Sequence, residues 1–183
     1  MRLVRLLLAL ILCASATAAR GDEELERLVR ALDSAREPEW TQAFERLRAL
    51  GAPAAERVLG DFTTVDFGAR RARAKLLLQV AAPAQCARVL ALLGDADPQV
   101  RRLLALFLGS PALAEAEAAA RVDALERLAL DDPNDYVRSK AREALAECSL
   151  AEAVPALDRA LDVLPPAEAE PAAKAFAQLP LAR

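Results

Sequence analysis

The sequence predicts an all-α protein built as a solenoid of stacked helical pairs, and three observations support this fold class. The chain has 183 residues, of which 55% are hydrophobic and only 4% aromatic, and its apolar residues are mostly Ala and Leu, which favour helices. The β-branched alternation typical of strands is almost absent. The segment LLGDADPQVRRLLALFLG, residues 92–109, returns as LALDDPNDYVRSKAREALAE, residues 128–147, with a period of 137 − 100 = 37 residues. A repeat of that length with two helices per unit is typical of a helical solenoid.

Residues 1–19 have the pattern of a secretory signal peptide. Two arginines precede an apolar run of about fourteen residues, and Ala-x-Ala cleavage patterns end at Ala16 and Ala18. A transmembrane helix needs about 20 apolar residues, so a signal retained as a membrane anchor is the weaker alternative. We expect cleavage near Ala18 or Ala19, which leaves one domain, residues 20–183, with no membrane span.

The charge and the cysteines limit the classes of partner and of chemistry. The formal charge is −3, and loss of Arg2 and Arg5 leaves 22 basic against 27 acidic residues, or −5. This balance argues against nucleic acid or an anionic membrane surface as the main partner. Cys86 and Cys148 are expected on helices two units apart, too distant for the Cα separation of about 4.4–6.8 Å in a disulfide. We predict two buried, unpaired thiols.

Start and stop signals divide the mature chain into a capping helix, four helical pairs and a last single helix. Aspartates serve as N-caps, prolines occupy first turns and glycines end helices. The last helix is either a C-terminal cap or an unfinished repeat. The predicted elements are a cap that begins at Asp22, then the pairs 38–51 with 53–60, 67–80 with 83–94, 98–109 with 112–130 and 137–148 with 154–164, and the final helix at 167–179.

The helix at 98–109 shows why such elements need neighbours. Its large apolar side chains fall on one stripe at helical spacing. Burial of that stripe does little more than offset the conformational entropy lost when the helix is ordered, so repeats stacked on both sides are needed to stabilise it. The stripe consists of Val100, Leu103, Leu104, Phe107 and Leu108.

These units resemble HEAT repeats, in particular the short bacterial repeats also called HEAT-like or phycobilisome-lyase-like. The family's unit has Asp and Pro in a turn, Val-Arg early in a first helix, and then a second helix. The resemblance covers residues 36–180, but Thr64 stands in place of the aspartate before Ala69-Arg70, and Trp40-Thr41 replaces Val-Arg. The two units that match well contain Asp95, Pro98, Val100 and Arg101, and Asp132, Pro133, Val137 and Arg138.

The resemblance implies a right-handed superhelix of about four HEAT-like helical hairpins with single-helix caps, in a bacterial protein. The signal-peptide pattern predicts that this protein is exported, to the periplasm or outside the cell. In the family, an Asp and an Arg six residues apart belong to a ladder that links neighbouring repeats. The residues that the resemblance assigns to this structural ladder are Asp95, Val100, Arg101, Asp132, Val137 and Arg138.

The sequence contains no residue pattern typical of catalysis. It has no histidine, which removes the commonest general base and the usual zinc ligands, and it has neither a C-x-x-C motif nor a glycine-rich phosphate loop. The carboxylates of Asp131, Asp132 and Asp135 lack the spacing of a calcium loop, so helix capping explains them better. We therefore predict no catalytic, cofactor-binding or metal-binding residues, no cofactor, and no enzymatic activity.

Arginine recurs at matching places on the predicted second helices. Each of these arginines precedes an inward-facing residue by one, so each is expected at the edge of the exposed second-helix face, which lines the concave surface in HEAT solenoids. A line of arginines there would bind carboxylates or an extended acidic peptide. The alternative is coincidence, since 21 of the 24 basic residues are arginine. The residues are Arg57, Arg88, Arg121 and Arg159.

The function predicted from the sequence is an exported, monomeric, non-enzymatic HEAT-repeat scaffold that binds another protein or peptide through its concave second-helix face. The alternative is an accessory or regulatory subunit of an enzyme, or a HEAT-like lyase-type enzyme, because some phycobilin lyases of that family attach pigments.

Overall fold

The computed structural model describes residues 21–164, except for 35, 149 and 152, and every regular element in this part of the chain is helical. The predicted signal peptide and the predicted helix at 167–179 lie outside the described residues. The prediction of an all-α fold is confirmed. The helices are α1 (21–32), α2 (Glu37–Leu50), α3 (Ala52–Gly60), α4 (Phe67–Val80), α5 (Cys86–Leu90), α6 (Pro98–Gly109), α7 (Ala118–Asp131), α8 (Asp135–Glu147) and α9 (Ala153–Asp162).

The helices form a solenoid in which α1 is followed by the pairs α2/α3, α4/α5, α6/α7 and α8/α9. The first helices α2, α4, α6 and α8 pack one on the next, and the second helices α5, α7 and α9 do the same beside them. One continuous apolar core, built mostly from Leu, Ala and Val, runs along the stack. Within the described chain, no helix is long and apolar enough to cross a membrane.

The N-termini of α4, α6 and α8 are fixed by side-chain caps. Asp66 Oδ1 accepts a hydrogen bond of 2.8 Å from the Ala69 amide at the start of α4, and Asp97 Oδ1 accepts one of 2.9 Å from the Gln99 amide at the start of α6. The cap of α8 is Asn134, whose Oδ1 accepts from Tyr136 and Val137. The predicted caps are therefore present in α4 and α6, whereas in α8 the cap is Asn134 and not one of the nearby aspartates.

Two of the predicted second helices are shorter than expected. The element predicted at 83–94 consists of a 3₁₀ turn, Pro83–Gln85, the short helix α5, and then turns whose amides bond three residues back, as Leu92 to Val89 does at 3.0 Å. The element predicted at 112–130 begins its α-helix only at Ala118, after a 3₁₀ turn at Pro111–Leu113. Alanine favours a helix intrinsically, but in residues 112–117 tertiary hydrogen bonds to Arg121 determine the backbone instead.

Gly109 is the last residue of α6 and lies against α8. A Cβ atom on Gly109 would come within 2.6 Å of the Ala144 Cα atom and carbonyl oxygen, which is closer than real side-chain contacts. The glycine that the sequence marks as a helix stop therefore also allows the backbones of α6 and α8 to touch.

Cys86 and Cys148 are buried and unpaired, as expected. Burial raises the pKa of the Cys86 thiol above its ordinary value, although the charge of Arg121 acts in the opposite direction. On α9, Val154 is half exposed, and the inward face carries Ala153, Ala156, Leu157 and Ala160.

Candidate functional site

Three ion pairs join the N-terminal ends of consecutive first helices: Arg70 with Asp95, Arg71 with Asp97, and Arg101 with Asp132. Arg101 on α6 makes a bidentate contact with Asp132, at 2.7 Å and 2.8 Å, and its Nη1 donates to the Asp95 carbonyl oxygen at 2.8 Å. Arg70 Nε on α4 lies 2.8 Å from Asp95 Oδ2, as an ion pair without the alignment of a hydrogen bond. Each pair links one unit to the next. Arg138 on α8 makes the same backbone contact in its own unit that Arg101 makes to Asp95: it donates to the Asp132 carbonyl oxygen at 2.6 Å.

These contacts are largely buried, which determines their electrostatics. Burial alone would raise the pKa of Asp132, but hydrogen bonds from Arg101 and from the Asn134 amide, together with the charges of Arg101 and Arg138, lower it below its ordinary value of 3.8. Burial alone would also raise the pKa of Asp97, but hydrogen bonds from Arg71 and from the Gln99 amide lower it. Val100 and Val137, the other residues assigned to the ladder, are fully buried.

The arginines predicted to line the second-helix face do not present free guanidinium groups. Three of them bind a glutamate on the preceding second helix or on α1. Arg88 Nη1 lies 2.5 Å from Glu56, Arg159 makes a bidentate contact with Glu126 at 2.5 Å and 2.8 Å, and Arg57 contacts Glu26 at 2.8 Å. Each of the three already has a carboxylate partner within the chain, and binding of an acidic peptide by these arginines stays a prediction.

Arg121 departs further from the prediction, because it is 0% exposed. Its guanidinium donates to the Leu108 carbonyl oxygen at 2.8 Å, to that of Ala114 at 2.7 Å and to that of Ser110 at 3.3 Å, and it lies 3.6 Å from Cys148 Sγ. The loop before α7 wraps around this group, and Ala114 and Glu117 have positive φ angles of 44° and 49°. Arg121 is thus part of the core and not a partner-binding residue.

The second helices leave a groove where the series of glutamate–arginine pairs is interrupted. With Arg121 turned inward, no glutamate–arginine pair among the described residues joins α5 to α7. Because α5 is also short, a groove of about 600 Å³ opens between the two helices. Its floor is apolar, and its rim carries Asp123, Arg127 and Asp131. Arg127 Nε donates to the Asp123 carbonyl oxygen at 3.3 Å and makes no ion pair within the described residues. The apolar lining consists of Leu90, Leu93, Ala120, Ala124 and Leu128.

A volume of this size falls within the usual range for small-molecule sites, about 300–1,000 Å³. The groove joins an apolar floor to the Arg127 guanidinium and to the carboxylates of Asp123, Asp131 and Asp132, the last of which is paired with Arg101. This suits a largely apolar molecule with polar groups at its edge. In the described part of the chain no group of three His, Cys, Asp or Glu residues is placed to hold a metal ion.

Sequence reasoning missed this groove and a buried ion cluster at Arg73. Arg73 on α4 contacts Asp33 at 2.9 Å and 2.5 Å and Asp61 at 2.5 Å. Both features depend on the exact positions at which loops end and helices begin. The repeat period does not predict those positions. A detectable signal for the groove was the short spacing from Pro83 to Gly94, which leaves little room for a full second helix.

The stacked helical pairs and the Asp–Arg pairs between them define the chain as a HEAT-like helical solenoid. The sequence matches no protein-family model and no curated protein. Among solved structures, the chain is similar to one in the complex of CpcE and CpcF of phycocyanin lyase from Nostoc sp. PCC7120. The TM-score is 0.70 at 19% sequence identity, over 84% of this chain and 98% of the other.

This likeness overturns the prediction of a non-enzymatic scaffold and the prediction that the protein is not an enzyme. The neighbour belongs to a lyase, which agrees better with the alternative of a lyase-type enzyme or an enzyme subunit. The physical error lay in the weight given to the absent histidine. An enzyme can act by holding two reactants in the right geometry, and such work requires a shaped site, not a histidine.

Proposed function

We propose that this chain is a HEAT-like, lyase-type subunit that binds a pigment-like small molecule and acts together with a second protein. The observation that carries the proposal is the fold: nearly the whole of a chain from a two-subunit phycocyanin lyase complex superimposes on this one. The groove between α5 and α7 supports it, because this groove offers the volume and the apolar floor that a flat pigment would need.

In this proposal each part of the groove has a defined task. Leu90, Leu93 and Leu128 cover the apolar body of the ligand, where burial of its surface gives most of the affinity. Arg127, which has no carboxylate partner of its own in the described chain, pairs with an acidic group of the ligand and fixes its direction. Asp123 and Asp131 are the groups on the rim able to accept or return a proton.

The partner of the proposed function is a protein, as predicted from the sequence, and the two-chain assembly of the neighbour supports this. Export to the periplasm or to the outside of the cell stays part of the proposal, on the basis of the arginines, apolar run and cleavage patterns in residues 1–19.

Binding of biliverdin, a linear tetrapyrrole, to the purified chain tests this function. We expect a shift in its visible absorbance that saturates with protein, and at least about tenfold weaker binding for Ala120→Phe, because the added ring fills the groove. Ala119→Phe is the matched control: Ala119 is the exposed neighbour of Ala120 in α7 but does not line the groove. No absorbance shift, or equal weakening by both variants, would contradict the proposal.

A further inference from the structure

A second cavity, of about 400 Å³, lies near the N-terminal end of the stack, between the end of α1 and the N-terminal ends of α2 and α4. One wall is Trp40, whose ring stacks on Phe44 with the ring centres 5.1 Å apart. The floor is apolar, from Leu32 and Ala72. This cavity is separate from the groove between α5 and α7, since the two have no lining residue in common.

The seam between α2 and α4 differs from the next two seams. Between α4 and α6, and between α6 and α8, an arginine on one first helix reaches an aspartate in the turn before the next first helix, as in the pairs Arg70–Asp95 and Arg101–Asp132. On α2 the matching position is Thr41, which is exposed and carries no charge for such a pair. The cavity lies beside this seam.

The lining of the cavity is acidic. It includes the carboxylates of Asp33, Glu37 and Asp66 and no cationic residue. Asp33 is occupied by Arg73, and Asp66 caps α4, whereas Glu37 is exposed in the first turn of α2 and makes no ion pair within the described residues. The cavity therefore presents an aromatic wall, an apolar floor and an unpaired negative charge at its mouth.

We propose that this cavity receives an arginine side chain of the partner protein. A guanidinium is flat, stacks on an indole ring and binds carboxylates with several parallel donors, so it fits this combination better than an ammonium group does. The ring already attracts a cation of the chain itself: Lys75 Nζ lies 5.0 Å from the centre of the Trp40 ring but does not line the cavity.

This inference rests on the proposed function only in requiring a protein partner. It does not depend on pigment binding, which is measured at the groove between α5 and α7, so the two proposals can fail separately.

Trp40 is the single tryptophan of the chain, so its fluorescence reports directly on the cavity. We would titrate the protein with the peptide acetyl-Gly-Ser-Arg-Ser-Gly-amide and with the same peptide carrying citrulline, which keeps the shape of arginine but has no charge. The arginine peptide is expected to change the fluorescence and to bind several-fold more tightly than the citrulline peptide. Added salt should weaken the binding of the arginine peptide, because the contact is between charges at a partly exposed site.

Glu37→Gln and Glu39→Gln form a matched pair, since both remove an acidic residue from the first turn of α2 but Glu39 does not line the cavity. Glu37→Gln should weaken binding of the arginine peptide about fivefold, the size expected for one partly exposed ion pair. Glu39→Gln should leave the affinity for this peptide unchanged. Equal affinity for arginine and citrulline, equal effects of the two variants, or tighter binding of a lysine peptide would overturn the inference. Agmatine is a small molecule with a free guanidinium group. If it bound about ten times more tightly than the arginine peptide, the cavity would be a small-molecule site, and docking of a partner protein would be overturned.

Discussion

Arg121 shows how much the surroundings decide what one residue does. It occupies the same place on its helix as Arg57, Arg88 and Arg159, yet those three lie at the surface with glutamate partners while Arg121 is fully buried. Its partners are mostly backbone carbonyl oxygens, which hold no net charge. A buried cation with such partners keeps its place only as long as the loop around it is closed.

Replacement of Arg121 by Met should therefore destabilise the protein strongly. We expect a loss of about 2–4 kcal/mol in the free energy of unfolding, because buried carbonyl groups lose a charged donor and residues 114–117 lose the contact that supports their positive φ angles. Urea denaturation followed by circular dichroism measures this. Arg88→Met, at a half-exposed pair, is the control and should cost at most about 1 kcal/mol; equal losses in the two variants would argue against a special role for Arg121.

The helices themselves follow the sequence closely where local signals and packing agree. α6 begins at Pro98 behind its Asp97 cap and ends at Gly109, as the spacing predicts. The prediction fails for α5 and α7, where tertiary contacts override propensity. Gln85 is drawn into the core, where its side chain accepts from the Ala82 amide and donates to Glu56, and the carbonyl groups before α7 turn toward Arg121. The groove could not be predicted, because it is a space left by these departures, and the Trp40 cavity could not be predicted because it depends on how the end of α1 packs against α2 and α4.

The contact between α6 and α8 yields a prediction about Gly109. Gly109→Ala adds a methyl group where backbone atoms of Ala144 lie 2.6 Å away, so the two helices must move apart. Alanine gains about 1 kcal/mol of intrinsic helix propensity over glycine, but we expect a net loss of about 1–3 kcal/mol from the overpacked contact. Thermal unfolding measures the outcome. Gly94→Ala, where a Cβ atom would meet open space, should show no such loss, and an unchanged midpoint for Gly109→Ala would refute the close approach.

At the scale of the whole molecule, a solenoid holds together through contacts between neighbours. The bidentate pair between Arg101 and Asp132 joins α6 to the turn before α8, and both side chains are nearly buried, at 11% and 2% exposure. Loss of this pair should therefore loosen the C-terminal half of the stack while the N-terminal units keep their own contacts.

Asp132→Asn tests this picture and its dependence on pH. At neutral pH we expect a loss of about 3 kcal/mol, since a buried arginine would lose its charged partner, and faster hydrogen exchange in α6–α9 than in α1–α3 by mass spectrometry. The folded-state pKa of Asp132 is lowered, so its stabilising effect is present above its ordinary pKa of 3.8 and is lost as the pH falls through the folded-state value. The difference in the free energy of unfolding between wild type and variant should therefore become smaller at acidic pH. A difference independent of pH, or uniform exchange along the chain, would contradict this.

The contact at Gly109 also makes the two ends of the stack mechanically unequal. Where α6 and α8 touch backbone to backbone, one helix cannot slide past the other without a clash, so that seam resists shear and keeps its curvature. Between α2 and α4, the space beside Trp40 lets the helices tilt at little cost in packing. Bending of the solenoid is therefore expected to concentrate near its N-terminal end, while the seam between α6 and α8 keeps the opposite end stiff.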